Sequence, residues 1–307
     1  MSAEPSIDGV AGALSGIEVD WLYTSPSFGV TRWDCHCGRT GMSDERVQLW
    51  HVISFLHEGA FVLHSEGSSE LVDRTTAILF NPETVYQSTH PFGCNDHGSA
   101  LAVRREVLLD VMSRFDPAAQ ERPAALFSSL LCRDLSRVYF RYRALVRGLS
   151  GGAAPADPLA LEESLLEILG DVVSSSCRAG RGVNRESARA RRRYVHDAQT
   201  LLHERFRQRY RLEDIARELY VSPFHLCRLF KQETGMSIQR YVNRLRLQES
   251  LERLTESADL TELALSLGFS CQSHFTNAFR KEFGLPPGKA RRLVGKPKLA
   301  EMRKGLE

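Results

Sequence analysis

The sequence has few cysteines, no long apolar run and almost no net charge, and each absence excludes a class of protein. Its seven cysteines are odd in number and scattered, which excludes a disulfide-stapled secreted scaffold and indicates a reduced compartment. The opening residues, MSAEPSIDGVAGALSG, lack a cationic segment followed by an apolar one, so no signal peptide is predicted. No stretch approaches the length of a membrane span. We therefore expect a cytoplasmic protein with no membrane partner.

The net charge of +2 conceals two halves of opposite sign. Residues 1–177 hold 13 Lys and Arg against 23 Asp and Glu, whereas residues 178–298 hold 25 against 13. A length of 307 residues favours two domains. The N-terminal half is therefore an acidic globule, and the C-terminal half is basic enough to attract a polyanion such as nucleic acid.

The N-terminal half changes from strand to helix patterning at about Arg104. From Ile17 to Val103, short segments rich in Val, Phe, Ile and Tyr alternate with turns at intervals of about ten residues, which is typical of a small sandwich or barrel. Segments with helical spacing follow over residues 104–177, among them ALFSSLLCRDLSRVYFRYRALVRGL and LALEESLLEILGDVVSS. These helices either pack on their own β-domain or pair with a second copy, and we expect a homodimer.

The remaining boundaries follow from composition. Residues 1–16 are predicted to be disordered, and residues 178–191 read as a flexible basic linker, either a solvated charge run or a phosphate contact. Residues 192–294 are helical, and residues 295–307 form a tail. The fold class predicted is thus a two-domain α+β protein with an all-α C-terminal domain.

A unit of about 25 residues occurs twice in the C-terminal domain. LEDIARELYVSPFHLCRLFKQETGM aligns with LTELALSLGFSCQSHFTNAFRKEFGL after one inserted residue. Each copy has a short apolar helix containing an alanine, a three-residue turn, a serine (Ser222 or Ser270) and a longer helix closed by glycine (Gly235 or Gly284). Serine is a common N-cap and glycine a common C-terminal residue of helices. This is the plan of a helix-turn-helix, so two such units are predicted.

The second helix of each unit has polar and aromatic residues off its apolar stripe, near its start. In a helix-turn-helix this part enters the major groove. Arg228 suits a guanine edge, Gln272 and Asn277 suit adenine, and Phe224 suits thymine methyl groups. Cations later on the helices are predicted to contact phosphates: Lys231, Arg280 and Lys281.

The C-terminal domain resembles the AraC/XylS family of transcription regulators. The resemblance rests on IARELYVSPFHLCRLFKQETGMSIQRYVNRLRLQESLERL and LTELALSLGFSCQSHFTNAFRKEFGLPPGKAR, and it extends from about Tyr194 to Arg292. It implies two helix-turn-helix units joined by one long helix over about 237–255. The implied base-contacting positions are Phe224, His225, Cys227, Arg228, Gln272, Ser273, His274, Thr276 and Asn277. Cys227 is either a contact for a thymine methyl group or merely a small residue. We assign Arg246, a feature of the linking helix, to phosphate contact.

The N-terminal half resembles the family's cupin-like effector domain more loosely, over ILFNPETVYQSTHP. This resemblance implies a cupin-like β-barrel over 17–103 that binds a small molecule or supports dimerisation and performs no catalysis. The whole chain is then predicted to be a sequence-specific regulator that binds a double-stranded DNA operator and a small-molecule effector, and RNA polymerase if it is an activator. No cofactor is predicted.

Cysteines and histidines in the N-terminal half carry an alternative interpretation. Cys35 and Cys37 lie two residues apart, and His90, Cys94 and His97 follow in a later segment. Together they could form a metal site or a redox-sensitive thiol. The spacing matches no common ligand pair, and isolated cysteines are often small core residues. A metal- or thiol-based sensor and a cupin-type metalloenzyme with a DNA-binding tail therefore remain the alternative hypotheses.

Overall fold

The computed structural model describes residues 16–36, 41–93, 95–122, 124–150, 157–179, 185–208, 210–257 and 259–295. The chain divides into two compact units, Met1–Gly180 and Arg181–Glu307. Of the predicted terminal segments, residues 1–15 and 296–307 lie outside the described part. None of the helices in the described ranges combines the length and the apolar character that crossing a lipid bilayer requires.

The N-terminal unit contains two antiparallel sheets. The first has the order β1-β2-β9-β4-β7-β10, and the second has the order β3-β8-β5-β6. The predicted β-rich character of residues 17–103 is confirmed, but the described strands form two sheets rather than one closed barrel. The strands are β1 Ile17–Thr24, β2 Phe28–Cys35, β3 Arg46–Val47, β4 His51–Glu58, β5 Phe61–Ser65, β6 Ser68–Val72, β7 Thr76–Phe80, β8 Val85–Thr89, β9 His97–Val103 and β10 Leu131–Arg133.

Strand β4 lies at the centre of the N-terminal core. Its first seven residues are buried, because β7 and β9 flank its two edges and side chains on both faces are covered. The turn that follows requires Gly59, whose φ is +89°. A Cβ atom at this position would lie 1.7 Å from a carboxylate oxygen of Asp96. The close approach of this turn to Asp96 therefore depends on glycine.

The helices of the N-terminal unit are α1 Arg105–Ser113, α2 Ser136–Leu149 and α3 Pro158–Ala179. Arg141 on α2 donates to Glu167 and Asp171 on α3, at 2.6 and 2.8 Å. The sequence pattern predicted helix throughout the segment that contains β10, and this was wrong. Residues 131–133 instead pair with β7 and extend the first sheet.

The C-terminal unit is helical in every described element. Its helices are α4 Arg185–Arg205, α5 Leu212–Glu218, α6 Pro223–Thr234, α7 Ile238–Arg253, α8 Leu260–Ser266, α9 Gln272–Phe283 and α10 Pro287–Gly295. Helix α4 begins inside the segment 178–191, which was predicted to be a flexible linker, so residues 185–191 belong to a helix. Helix α7 is the predicted connection between the two repeated units.

Acid is expected to destabilise the N-terminal unit through His51. This residue is 1% exposed, and its burial lowers the imidazole pKa from 6.5 to about 4. Because the folded state favours the neutral ring, His51 contributes its full stabilisation at pH values above the pKa that it has in the unfolded state. It falls as the pH drops from about 6.5 to about 4, by about 3 kcal/mol. Thermal unfolding of the full chain across this range would measure the loss.

A substitution pair isolates the contribution of this residue. His51→Gln removes the titrating ring and should flatten the acid side of the stability profile, although His57, whose pKa burial also lowers, keeps part of the slope. His274→Gln, at an exposed position of the C-terminal unit, is the matched control. Identical pH profiles for His51→Gln and the unmodified chain would contradict the assignment.

Candidate functional site

The two repeated units fold in the same way. In each, a seven-residue helix (α5 or α8) precedes a twelve-residue helix (α6 or α9). Both longer helices end at a glycine in the left-handed conformation, Gly235 with φ 73° and Gly284 with φ 85°. The predicted pair of helix-turn-helix units is therefore present, and each unit has the predicted C-terminal residue.

The apolar stripes of α6 and α9 pack inward, as predicted. Leu226, Leu229 and Phe230 are buried on α6, and the buried residues of α9 are Phe275, Phe279 and Phe283. The three rings on α9 stack edge to face along the helix, with centroids 5.6 and 4.6 Å apart. Each stripe fixes which face of its helix stays outside, and hence which side chains a ligand can reach.

The two longer helices begin differently, and here one prediction was wrong. The Ser222 hydroxyl accepts a hydrogen bond from the backbone N–H of His225 at 3.2 Å and caps α6 as predicted. At α9 the N-cap is Cys271 rather than Ser270, whose hydroxyl contacts His274 Nδ1 at 3.2 Å. Cys271 makes no side-chain capping bond, but the backbone N–H groups near it, that of His274 above all, lower the pKa of its thiol. The inserted residue between the copies explains the shift by one position.

The predicted base-contacting side chains lie in the first two turns of α6 and α9. Phe224 is 80% exposed although it is aromatic, and Arg228 is also exposed. His225, Cys227 and Thr276 are half-buried. The other exposed members of the set are Gln272, Ser273, His274 and Asn277. Each helix thus presents polar side chains from the end at which a recognition helix meets base edges.

Three of the four predicted phosphate contacts are exposed, and the fourth requires correction. Lys231, Arg280 and Lys281 face solvent on the later turns of α6 and α9. Arg246 is buried at 6% exposure, and its guanidinium donates to the carbonyls of Phe206, Gln208 and Gly268 at 2.5, 2.9 and 2.9 Å. These bonds occupy its nitrogens inside the unit, so Arg246 is a structural residue and not part of the exposed face.

The contact between Arg246 and Gly268 leaves no room for a side chain. A Cβ atom on Gly268 would lie 2.8 Å from Arg246 Nη2 and 2.7 Å from the carbonyl oxygen of Arg207. Gly268 also has a φ of 82°. The equivalent turn residue in the first unit is Tyr220, with a φ of 56° and an exposure of 96%. The two turns are therefore alike in conformation but differ in what packs on them.

The N-terminal unit contains a cavity between its two sheets that the sequence did not reveal. It encloses about 170 Å³. Its walls are largely apolar and include six aromatic side chains: Trp21, Trp33, Trp50, Phe61, Phe80 and Tyr86. Arg46 carries the one permanent charge among the described lining residues, and none of those residues is acidic. The buried indole N–H of Trp50 has no hydrogen-bond partner within the described ranges.

One end of the cavity is a buried polar cluster of Cys35, Ser88, His90 and Asp96. His90 Nδ1 lies 2.5 Å from Asp96 Oδ2, and His90 Nε2 lies 3.1 Å from the Ser88 hydroxyl and 4.0 Å from the Cys35 sulfur. The pKa of the Asp96 carboxyl is raised, because the effect of burial exceeds the lowering by its bonds with His90 and the Ala60 N–H. Cys35, Ser88 and His90 line the cavity.

The predicted metal candidates are only partly placed. Cys37 and Cys94 lie outside the described residues. His97 lies 3.8 Å from Glu58, at the start of β9. Within the described ranges, no group of three or more His, Cys, Asp or Glu side chains has the arrangement of a metal site. Of the predicted set, Cys35 and His90 do lie close together, with the sulfur 4.0 Å from Nε2.

The C-terminal unit matches known helix-turn-helix proteins. Residues 215–293 match the family model described as a helix-turn-helix domain. The chain is 32% identical over 111 residues to the Msm operon regulatory protein of Streptococcus mutans, covering 36% of this chain and 40% of that protein. It is 51% identical over 63 residues to the transcriptional activator RhaS of Pectobacterium carotovorum, covering 20% and 23% of the two chains. The chain thus spans less than half the length of these curated relatives.

A solved structure from Chromobacterium violaceum, a transcriptional regulator with an AraC-type DNA-binding domain, shares 26% identity with this chain. The match covers 37% of this chain and all of that one, with a TM-score of 0.33.

Substitutions at the two turn residues, Gly268 and Tyr220, are expected to change the stability of the C-terminal unit in opposite directions. Gly268→Ala should destabilise the C-terminal unit by more than about 1 kcal/mol, because the new Cβ meets a backbone carbonyl and Arg246. Tyr220→Gly should stabilise it by about 1 kcal/mol, because a non-glycine residue in the left-handed region is strained. Chemical denaturation followed by far-ultraviolet circular dichroism would test both, since all three tryptophans lie in the N-terminal unit. Changes of the same sign would contradict this account.

Proposed function

We propose that this chain is a sequence-specific transcription regulator, because its C-terminal unit is a helix-turn-helix domain of the AraC/XylS type. The observation that carries the proposal is the repetition of one capped helix-turn-helix unit with exposed polar side chains at matching positions. Helices α6 and α9 would enter successive major grooves of the duplex. The excess of basic residues over 178–298 would supply the electrostatic attraction.

Within the proposed interface, the side chains divide into two roles. The residues in the first two turns of α6 and α9 would contact base edges, with Arg228 on guanine and Gln272 and Asn277 on adenine. Lys231, Arg280 and Lys281 would contact phosphates and fix the register of the domain without reading sequence. Cys227 and Thr276, which are half-buried, would contribute at most small apolar contacts such as those to thymine methyl groups.

The N-terminal unit would sense a small molecule in its cavity and support a homodimer. Aromatic walls favour a flat, largely apolar occupant. On α3, Leu159 and Leu166 are exposed although they are apolar. They are seven positions apart, which is two helical turns, so they lie on one helix face that a second copy could cover. Binding of the small molecule in the cavity would change which arrangement of the two DNA-binding units in the homodimer is favoured. The protein would be a cytoplasmic regulator rather than an enzyme, and as an activator it would contact RNA polymerase.

Two substitutions distinguish base contacts from phosphate contacts. Their effects are measured on operator duplexes that the full chain has selected from a random pool. Arg228→Ala should lower affinity by about 1–3 kcal/mol and relax selection at one base position. Lys281→Ala should weaken binding to every duplex alike and reduce the slope of log affinity against log salt by about one unit. Selection by each variant, with titration at several salt concentrations, would measure both effects.

The paired design provides its own control, because each variant is the reference for the other. Unchanged base selection by Arg228→Ala, or base-selective loss with Lys281→Ala, would contradict the assigned roles. A full chain that selects no duplex from the pool would overturn the proposed function itself.

Binding in the cavity should be visible in tryptophan fluorescence, because all three tryptophans line it. Small aromatic probes such as p-cresol and benzyl alcohol should quench this fluorescence saturably. Ala100→Phe, which places a ring in the cavity wall, should weaken the response at least about tenfold. Arg32→Gln, on an exposed ion pair with Asp20, is the matched control. Quenching that rises linearly with probe concentration, and that is the same in the Ala100→Phe variant, would contradict binding in the cavity.

A further inference from the structure

We propose that Cys35 is a nucleophilic thiol that captures small conjugated carbonyl compounds entering the cavity of the N-terminal unit. The inference rests on the polar cluster at the end of that cavity and not on the cysteine alone. Ser88 and Asp96, which are near His90 in sequence, and the distant Cys35 all converge on its imidazole, which lies in the cavity wall.

The imidazole is arranged as a general base. Asp96 Oδ2 lies 2.5 Å from His90 Nδ1, so the carboxylate accepts the Nδ1–H and holds the ring in one tautomer. Burial raises the pKa of Asp96, and its bonds with His90 and the Ala60 N–H offset part of that effect. Nε2 then carries the lone pair that faces Ser88 and Cys35. A carboxylate, an imidazole and a nucleophile in this order are the arrangement that activates weak nucleophiles.

Two nucleophiles face Nε2, and the thiol is the more reactive one. The Ser88 hydroxyl is nearer, at 3.1 Å, and the Cys35 sulfur lies at 4.0 Å. A thiol ionises near pH 8.5, and its thiolate is intrinsically a strong nucleophile, whereas a hydroxyl remains protonated. Proton transfer from sulfur to Nε2 therefore costs less than transfer from the Ser88 oxygen.

The cavity selects the electrophile by shape and polarity. Its volume of about 170 Å³ admits only a small molecule. The ring of Phe61 packs against His90, with ring centroids 5.7 Å apart. Flat, conjugated bodies fit between such walls. A carbonyl oxygen would supply an acceptor for the Trp50 indole N–H. These features favour an α,β-unsaturated ketone, aldehyde or quinone over a saturated compound.

The reaction is an addition and needs no further reactant. The Cys35 proton moves to His90 Nε2, and the thiolate forms a bond to the β-carbon of the acceptor. The electron pair of the carbon–carbon double bond moves toward the carbonyl oxygen, which gives an enolate. The enolate α-carbon then takes the proton from Nε2, which regenerates neutral His90 and leaves a thioether on Cys35.

The test follows the rate of adduct formation at each cysteine of the full chain by peptide mass mapping. The probe is 3-buten-2-one, and exposed Cys271 is the reference in the same sample. The ratio of the Cys35 rate to the Cys271 rate should fall at least about tenfold in His90→Gln and in Asp96→Asn, because general base catalysis is lost. Ser88→Ala, which removes only the competing hydroxyl, should leave the ratio equal or higher.

A second measurement uses the unmutated chain and does not depend on how the variants fold. A bulky fluorescein maleimide should label Cys271 and spare Cys35, whereas 3-buten-2-one should label both. Failure of 3-buten-2-one to label Cys35, or an unchanged rate ratio in a folded His90→Gln chain, would overturn the inference. Both measurements use protein without DNA, so their failure would leave the proposed DNA binding intact.

Discussion

The architecture of the C-terminal unit depends on one buried guanidinium. Arg246 extends from α7 to the carbonyls of Phe206 and Gln208 at the end of α4 and to Gly268 in the turn of the second helix-turn-helix. A buried cation is tolerated only when its donors are satisfied, and here three carbonyls satisfy them. The ring of Phe269 adds a cation–π contact, with Arg246 Cζ 5.8 Å from its centroid. This one side chain therefore joins three segments whose relative positions set the spacing of α6 and α9.

Much of the C-terminal unit could be predicted because its signals are local. Caps, glycine stops and apolar stripes lie within a dozen residues of one another, so two helix-turn-helix units were visible in the pattern. Arg246 was misassigned because an arginine on a helix of a basic domain looks like a phosphate contact until its long-range partners are known. The capping residue of α9 was misplaced by one position because the inserted residue falls in the turn itself, where Ser270 and Cys271 are adjacent.

The N-terminal unit could be predicted only in outline. The rhythm of short strands indicated a sandwich or barrel, but pairing between distant segments decided the sheet order and recruited residues 131–133 as β10. The sequence grouped Cys35 with His90 but did not predict their contact, because Cys35 lies 55 residues before His90 and only the meeting of the two sheets brings them together. Ser88 and Asp96, which complete the cluster, were not among the predicted site residues.

Cys271 and Cys35, two of the described thiols, differ in what would make them reactive. The Cys271 pKa is lowered by backbone N–H groups at the start of α9, and this sulfur is exposed beside the proposed base-contacting residues. Nothing in its surroundings restricts the size of an electrophile. Cys35 instead faces a cavity that admits only small molecules, and its activation comes from a histidine and a carboxylate. A signal specific to one compound would therefore have to originate at Cys35, because modification at Cys271 would alter the proposed DNA-facing surface for any electrophile alike.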